Sequence, residues 1–234
     1  MSIPRFYFEG KPKATETLRG ENFRHLKALR LMAGDEIVLF DGKGNEAVGI
    51  IKEIGRNEAV WGLKTRKTIP PKPCSVAIAA AMPKGKRQAF LVEKLAELGV
   101  ARFIPLITSR TIVRPNLSAI SRLQKIATEG ARQSGQPFVM KIEEPMQFDE
   151  AVELRDYDLR IIAVPDGACL KEILRKSSSI KSILCIVGPE GGFTDKEIEL
   201  AAKNGFQKAT LGRALLRIET AAIMLAAAID YEFG

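Results

Sequence analysis

Two short segments near the C-terminus combine glycines with charged residues in patterns that could bind a ligand and act on it. The first is GPEGG at 188–192, and the second is LGRALLRIET at 211–220. Glycines permit positive φ angles and a close approach of the backbone to a ligand. Arg217 and Glu219 precede the almost wholly apolar run Ala221–Ile229, where unpaired charges would be costly. A structural salt bridge is the alternative interpretation of these two charges.

The glycine segment differs from the usual phosphate-binding loops. It has neither the GxxxxGK[ST] pattern nor the GxGxxG spacing, and Glu190 would repel a phosphate. A carboxylate at this point suits a cation or a ribose hydroxyl. Thr194 and Glu197 have the spacing of a capping box, which predicts the start of a helix. Taken alone, the segment is also consistent with a well-formed turn before a capped helix.

The elements around the two segments follow from the apolar pattern. Apolar runs predict strands buried on both faces at 76–82, 102–107, 159–164 and 183–187, with a short strand near 208–211. Helical spacing predicts helices at 86–98, 118–134, 194–204 and 218–231. This alternation predicts an α/β fold with a mostly parallel sheet. Each segment follows a strand, at the sheet end where α/β proteins bind ligands.

The N-terminal part of the chain has a different organisation. Short strands are predicted at 36–40, 46–54 and 58–63, with a turn at 41–45 and one helix at 22–31. The sequence TIPPKP at 68–73 has three prolines, which disfavour helix and strand pairing. We therefore predict a small β-barrel domain at 1–70 and an α/β domain at 73–234.

Charge and composition limit the function classes. The chain has 234 residues, and residues 1–132 hold 24 of the 36 lysines and arginines but 12 of the 28 acidic residues. Such a basic half suggests a polyanion partner. The candidate RNA-binding residues are Arg5, Arg24, Lys27, Arg30, Lys84, Lys86, Arg87, Arg110 and Arg114. Each of them could instead be an ordinary solvated charge.

Other compositional features favour a soluble cytoplasmic protein without a metal. No apolar run approaches the ~20 residues of a membrane span, and the first residues lack the pattern of a signal peptide. The three cysteines are too few and too scattered for a disulfide framework or a metal site, and they are expected to be buried free thiols. The only histidine, His25, lies in the N-terminal part, which excludes a histidine-based triad at the C-terminal segments.

The C-terminal strings GPEGGFTDKEIE and LGRALLRIETAAIMLAAAI closely resemble the motifs of the RsmE family. IPRFYF, HLKALRLMAGDEI and FDGKG resemble the PUA-like barrel of that family, and KLAELGV, TSRT and RQSGQ resemble its middle motifs. The resemblance extends over essentially the whole chain. Members are SPOUT-class methyltransferases that modify N3 of a uridine in 16S ribosomal RNA of the small subunit, with S-adenosylmethionine as cofactor. The resemblance also implies a trefoil knot in the C-terminal domain and a homodimer.

Site residues follow from the resemblance by position. The cofactor site would contain Val164, Pro165, Gly188, Glu190, Gly191, Gly192, Leu211, Gly212, Leu215 and Leu216. Arg217, Glu219 and Thr220 match the LRxET motif at the reaction centre. The family often has arginine where this chain has Ala214, whereas here Arg213 stands one position earlier.

Three alternatives remain at this stage. A SPOUT enzyme that methylates another base or a ribose 2′-hydroxyl would share the C-terminal loops. A non-catalytic RNA-binding assembly factor would share the fold, although Glu190, Arg217, Glu219 and Thr220 are all present. A generic nucleotide-binding protein is disfavoured, because the phosphate-binding motifs are missing.

Overall fold

The computed structural model describes residues 3–177 and 179–234. The chain divides into two compact units. Unit 1 contains residues 1–71 and 131–139, and unit 2 contains residues 72–130 and 140–234. The first unit is thus built from two stretches of chain that are far apart in sequence, a feature that the apolar pattern does not predict.

Unit 1 is a five-stranded sheet with one helix. Its elements are β1 (Arg5–Tyr7), β2 (Thr15–Leu18), α1 (Gly20–Ala28), β3 (Glu36–Phe40), β4 (Asn45–Ile54) and β5 (Ala59–Thr68). The strand order is β1-β3-β4-β5-β2. The β1–β3 pair is parallel and the other pairs are antiparallel. The predicted β-rich N-terminal module is therefore present, and closure of its sheet into a barrel stays a prediction.

The turn between β3 and β4 pairs with the second stretch of unit 1. Gly44 donates its N–H to the carbonyl of Pro137 at 3.1 Å, and Val139 donates to the carbonyl of Gly42 at 3.0 Å. A Cβ at Gly44 would lie 2.7 Å from the ring of Phe138, so only glycine lets this ring lie against the turn. The core of the unit is centred on fully buried side chains such as Trp61.

Unit 2 alternates strands and helices, as predicted. Its strands are β6 (Ser75–Ala81), β7 (Arg102–Ile107), β8 (Lys141–Ile142), β9 (Met146–Gln147), β10 (Leu159–Cys169), β11 (Ser182–Val187) and β12 (Gln207–Thr210). Its helices are α2 (Arg87–Glu97), α3 (Leu117–Ser134, whose C-terminal end belongs to unit 1), α4 (Phe148–Val152), α5 (Leu170–Lys176), α6 (Asp195–Lys203) and α7 (Ile218–Phe233).

The sheet of unit 2 is parallel and buried on both faces. Its order is β12-β10-β11-β6-β7-β8, with β9 also paired to β7, and the pairs described are parallel. Alternate side chains of β6 enter different cores: Ile78 belongs to the core that contains side chains of α2 and α7, whereas Ala79 belongs to the core that contains side chains of α4 and α6. This explains the unbroken apolar runs, because strands covered on both faces need no polar side.

Strand β10 is longer than its apolar run predicts. The prediction ends at 164, but the strand continues to Cys169 after a register shift between Ala163 and Ala168 in its pairing with β12. Gly167 makes this possible, because a Cβ at that position would lie 2.5 Å from the backbone of Ala209. The chain thus stays against β12 beyond Pro165. The trefoil knot implied by the resemblance stays a prediction.

Two further observations concern membranes, metals and cysteines. Within residues 3–177 and 179–234, no helix is long and apolar enough to cross a membrane, and no group of three or more potential ligands is placed to hold a metal ion.

Cys74 and Cys185 are buried free thiols as expected. The expectation is wrong for Cys169, which is exposed because it lies where β10 ends and α5 begins.

Candidate functional site

A cavity of about 710 Å³ lies beside residues 163–165 of β10 and at the C-terminal ends of β11 and β12. Its walls come from β10 itself, from the segments that follow β11 and β12, from Ile198 of α6 and from the first turn of α7. The lining residues are Ala163, Val164, Pro165, Val187, Gly188, Pro189, Glu190, Gly192, Phe193, Ile198, Thr210, Leu211, Gly212, Arg213, Ala214, Leu215, Leu216, Ile218 and Ala221. The volume is within the ~300–1,000 Å³ of typical small-molecule sites.

The segment after β11 forms a tight turn beside the cavity. Gly192 donates its N–H to the carbonyl of Pro189 at 2.8 Å and has a φ of +68°, which favours glycine. Gly188 serves a different purpose, because a Cβ there would lie 2.9 Å from the ring of Phe193. Phe193 therefore lies directly on the backbone, and its ring centroid is 5.4 Å from that of Phe148.

Helix α6 begins immediately after this turn with the predicted capping box. Glu197 donates its N–H to Oγ1 of Thr194 at 3.3 Å, and Thr194 donates its own N–H to Oε2 of Glu197 at 2.7 Å. Ser109, after β7, donates its N–H to Oε1 of Glu197 at 2.8 Å. Burial disfavours the charged form of Glu197, but these hydrogen bonds outweigh burial and lower the pKa of Glu197.

The segment after β12 forms the opposite wall. Gly212 has a φ of +128°, and Thr210 donates its hydroxyl to the carbonyl of Gly212 at 3.1 Å. Leu215 is 87% exposed, although it lines the cavity. Arg213 is exposed and, with Glu190, supplies the ionisable side chains of the lining.

The structure brings together most of the residues predicted for the cofactor site. All of them except Gly191 line the cavity. The cavity is also lined by residues that were not predicted, namely Ala163, Val187, Pro189, Phe193, Ile198, Thr210, Arg213, Ala214, Ile218 and Ala221. Several of these are direct neighbours of predicted residues, so extending each predicted segment by one or two positions would have found them.

The three residues predicted at the reaction centre lie beside the cavity rather than in its lining. Arg217 is exposed and is the N-cap of α7. Glu219 is 6% exposed, and its Oε1 lies 3.5 Å from Nη1 of Arg87. Thr220 is exposed. Their neighbours Ile218 and Ala221 do line the cavity, so the first turn of α7 carries both sets of residues.

The buried carboxylate of Glu219 is only half satisfied. Its Oε2 has no hydrogen-bond partner within the described part of the chain. A buried acceptor without a partner costs about 1–3 kcal/mol. Its position in the first turn of α7 offsets part of this cost, because a negative charge is favourable at a helix N-terminus.

The candidate RNA-binding residues differ in their surroundings. In unit 1, Arg24, Lys27 and Arg30 are exposed. Arg5 is engaged within the unit: its Nη1 lies 2.6 Å from Oε1 of the buried Glu46, and its guanidinium stacks over the ring of Phe40 at 4.7 Å.

In unit 2, exposed positions are occupied by Lys84, Lys86, Arg110 and Arg114, whereas Arg87 is half-buried beside Glu219. Arg110 donates from Nη1 to the carbonyl oxygen of Gly191 at 2.6 Å. The predicted RNA-binding residues therefore divide into exposed charges and charges held by defined partners, such as Arg5 and Arg110.

Comparison with known proteins agrees with this geometry. A family model of an RNA methyltransferase domain matches residues 70–230, and a model of an RNA methyltransferase PUA domain matches residues 18–60. The ribosomal RNA small subunit methyltransferase E of Synechocystis sp. is 33% identical, covering 93% of this chain and 73% of that protein. The protein of the same name from Bacillus subtilis is 28% identical, covering 93% and 90%.

A solved structure is similar over the full length. The crystal structure of a ribosomal RNA small subunit methyltransferase E from Neisseria gonorrhoeae, bound to S-adenosylmethionine, has a TM-score of 0.91 at 30% identity. The similarity covers 100% of this chain and 99% of that one. This chain therefore belongs to the RNA methyltransferase family that includes ribosomal RNA small subunit methyltransferase E.

Proposed function

We propose that this chain uses S-adenosylmethionine to methylate N3 of a uridine in 16S ribosomal RNA of the small subunit. The observation that carries the proposal is the cavity between β10 and the segments that follow β11 and β12, in a chain of this family. The relative with a TM-score of 0.91 binds S-adenosylmethionine. The uridine N3 specificity rests on the resemblance to the RsmE family.

The cavity has the chemistry that this cofactor needs. Its apolar walls suit the adenine ring, and its glycine backbone lets peptide groups approach the ligand closely. Glu190 suits the ribose hydroxyls or the positively charged groups of the cofactor. The site residues in this proposal are Val164, Pro165, Gly188, Glu190, Gly191, Gly192, Leu211, Gly212, Leu215 and Leu216. When bound, the cofactor supplies a methyl group on a positively charged sulfur.

Three residues of α7 and its N-cap are proposed for the chemical step. Removing the N3 proton of uracil places negative charge on the neighbouring carbonyl oxygens, and the exposed Arg217 would stabilise that charge. Glu219 would accept the proton or orient Arg217 through Oε2, which has no hydrogen-bond partner among the residues that the structure describes. Such general-base assistance is typically worth ~10²–10⁴-fold. Thr220 completes the motif and is exposed beside them.

The replacement of Arg217 by alanine tests this assignment. We expect R217A to lose turnover while its dissociation constant for S-adenosylmethionine stays close to that of the wild type, because Arg217 is outside the cavity lining. R175A is the matched control, since Arg175 is an exposed arginine in the last turn of α5. Methyl transfer to small-subunit RNA is followed by mass spectrometry. Full activity of R217A would overturn the proposed role.

Mapping the modified nucleotide tests the substrate. Ribosomal RNA from a deletion strain should lack one N3-methyluridine, which the restored gene should return. Loss of a 2′-O-methyl group or of another methylated base would instead indicate a different SPOUT activity. Failure of the protein to bind S-adenosylmethionine in calorimetry would favour a non-catalytic RNA-binding assembly factor.

We also propose that the protein acts as a homodimer in the cytoplasm, with the RNA-binding residues named above, other than Arg110, as a basic track in each unit. Exposed side chains on the segment after β12 and on α7 support the dimer: Leu215 is 87% exposed, Met224 41% and Tyr231 90%. Burial of such side chains in an interface would be favourable. Light scattering during gel filtration gives the mass in solution, and a monomer at micromolar concentration would contradict the dimer.

A further inference from the structure

The TSRT segment at 108–111 folds into a compact turn after β7. Thr108 donates its N–H to Oγ1 of Thr111 at 2.8 Å, and Thr111 donates its N–H to the carbonyl of Thr108 at 3.2 Å. The N–H of Arg110 lies 3.3 Å from Oγ1 of Thr108. Thr108 is buried, so these hydrogen bonds hold the turn from inside. These hydrogen bonds therefore fix the position of the Ser109 backbone and of the backbone from which the Arg110 side chain extends.

From this turn, two neighbouring residues reach the segment after β11. Ser109 bonds the carboxylate of Glu197 in the capping box of α6, as described above. The guanidinium of Arg110 donates from Nη1 to the carbonyl of Gly191 at 2.6 Å and to that of Phe193 at 3.3 Å. The aliphatic part of Arg110 also lies against Gly191, since a Cβ added to Gly191 would be 3.4 Å from Cδ of Arg110.

Gly191 lies between Glu190 and Gly192, two residues that line the cavity. Gly191 and Gly192 are adjacent, and glycine loses more conformational freedom on ordering than any other residue. A hydrogen bond from a charged donor is roughly twice as strong as a neutral one. The contact therefore reduces the conformational entropy that residues 188–193 lose when a ligand binds. This preorganisation raises the affinity of the cavity for its ligand.

We infer that Arg110 is a positioning residue that holds residues 188–193 in the conformation that binds the cofactor, so that it controls cofactor affinity rather than RNA affinity. The inference rests on the proposed function, because it takes S-adenosylmethionine as the ligand of the cavity. The TSRT segment then serves to position Arg110. Arg110 also differs in role from the surface cations of the proposed RNA track.

The test compares R110M with R114M. Methionine keeps the apolar stem of Arg110 but removes its donors. Arg114 is an exposed arginine four residues later, so R114M removes the same charge from a nearby surface position. We expect R110M to raise the dissociation constant for S-adenosylmethionine about tenfold in calorimetry, with the KM for RNA unchanged at saturating cofactor. R114M should leave the cofactor affinity unchanged.

Amide hydrogen exchange of peptides that contain residues 188–193 provides a second measurement without cofactor. Exchange should become faster in R110M than in the wild type and stay the same in R114M. Wild-type cofactor affinity and unchanged exchange in R110M would overturn the inference, and a raised KM for RNA would assign Arg110 to RNA binding instead. If the wild type bound no S-adenosylmethionine, the proposed function would fail, while the exchange experiment would still decide whether Arg110 orders the turn.

Discussion

The replacement of Gly188 by alanine tests whether the close approach of Phe193 to the backbone shapes the cavity. The added Cβ would lie 2.9 Å from Cε2 and 3.0 Å from Cζ of the Phe193 ring. Non-bonded carbon atoms prefer about 3.5–4.0 Å, so the ring must move by roughly 0.5–1 Å. The φ of Gly188 lies outside the left-handed region, so the substitution adds a steric clash without backbone strain.

The structure gives the expected size of the effect. Overpacking of a core position costs about 1–3 kcal/mol, and 1 kcal/mol lowers the Tm of a chain of this size by about 2–4 °C. We therefore expect G188A to lower the Tm by about 2–12 °C. Because Phe193 lines the cavity, its displacement should also raise the dissociation constant for S-adenosylmethionine, by about tenfold for each 1.4 kcal/mol.

The double variant G188A/F193L distinguishes the clash from a general loss of stability. Leucine has no ring edge at the position of the added Cβ, so F193L should recover part of what G188A loses. Thermal unfolding and calorimetry on the wild type, both single variants and the double variant form a complete cycle. Simple addition of the two single effects would refute the reasoning, because no coupling would then exist between Gly188 and Phe193.

Three further predictions follow from burial and charge. The pKa of Glu197 is lowered in the folded protein, so its stabilising contribution is present above the ordinary glutamate pKa of about 4.3 and is lost as the pH falls through the lower folded value. Urea unfolding between pH 7 and pH 3 should show wild type and E197Q converging in acid, and a constant difference would contradict this. Burial raises the pKa of Cys74 and Cys185, so DTNB should titrate Cys169 in the native protein and all three thiols after denaturation; three fast native thiols would be inconsistent with their placement. RNA affinity should fall steeply with salt, and K84Q/K86Q should reduce the slope of log affinity against log salt by about 0.7 per lost contact, whereas an unchanged slope would exclude these lysines from the track.

The sequence predicts best those elements that have a continuous apolar run. The strands Glu36–Phe40 and Arg102–Ile107 have the predicted bounds, and the capping box at Thr194 begins α6 as expected. In each case the local pattern and the tertiary environment favour the same structure. The short strands β1 and β2 are missed, because three or four residues at a sheet edge carry too little periodicity to distinguish them from a loop.

Predictions fail where a distant segment overrides a local signal. Pro165 and Gly167 normally end a strand, yet β10 continues to Cys169, since Gly167 lets the backbone of β12 approach. The same limit applies to the site. Glycine spacing identifies the loops, but the lining role of Ile198 and the ion pair of Glu219 with Arg87 depend on which elements become neighbours. No local pattern contains that information.

The two-part composition of unit 1 has a consequence for biosynthesis. Residues 137–139 pair with the turn at 42–44. During synthesis, the N-terminal sheet therefore cannot form this pairing until the chain has been extended past residue 139. A nascent chain of about 71 residues would expose the surface that Phe138 and Val139 cover at Gly42 and Gly44. A truncated protein that ends at Pro71 would have the same deficiency permanently. A fragment that retains residues 131–139 on a linker would keep these backbone hydrogen bonds.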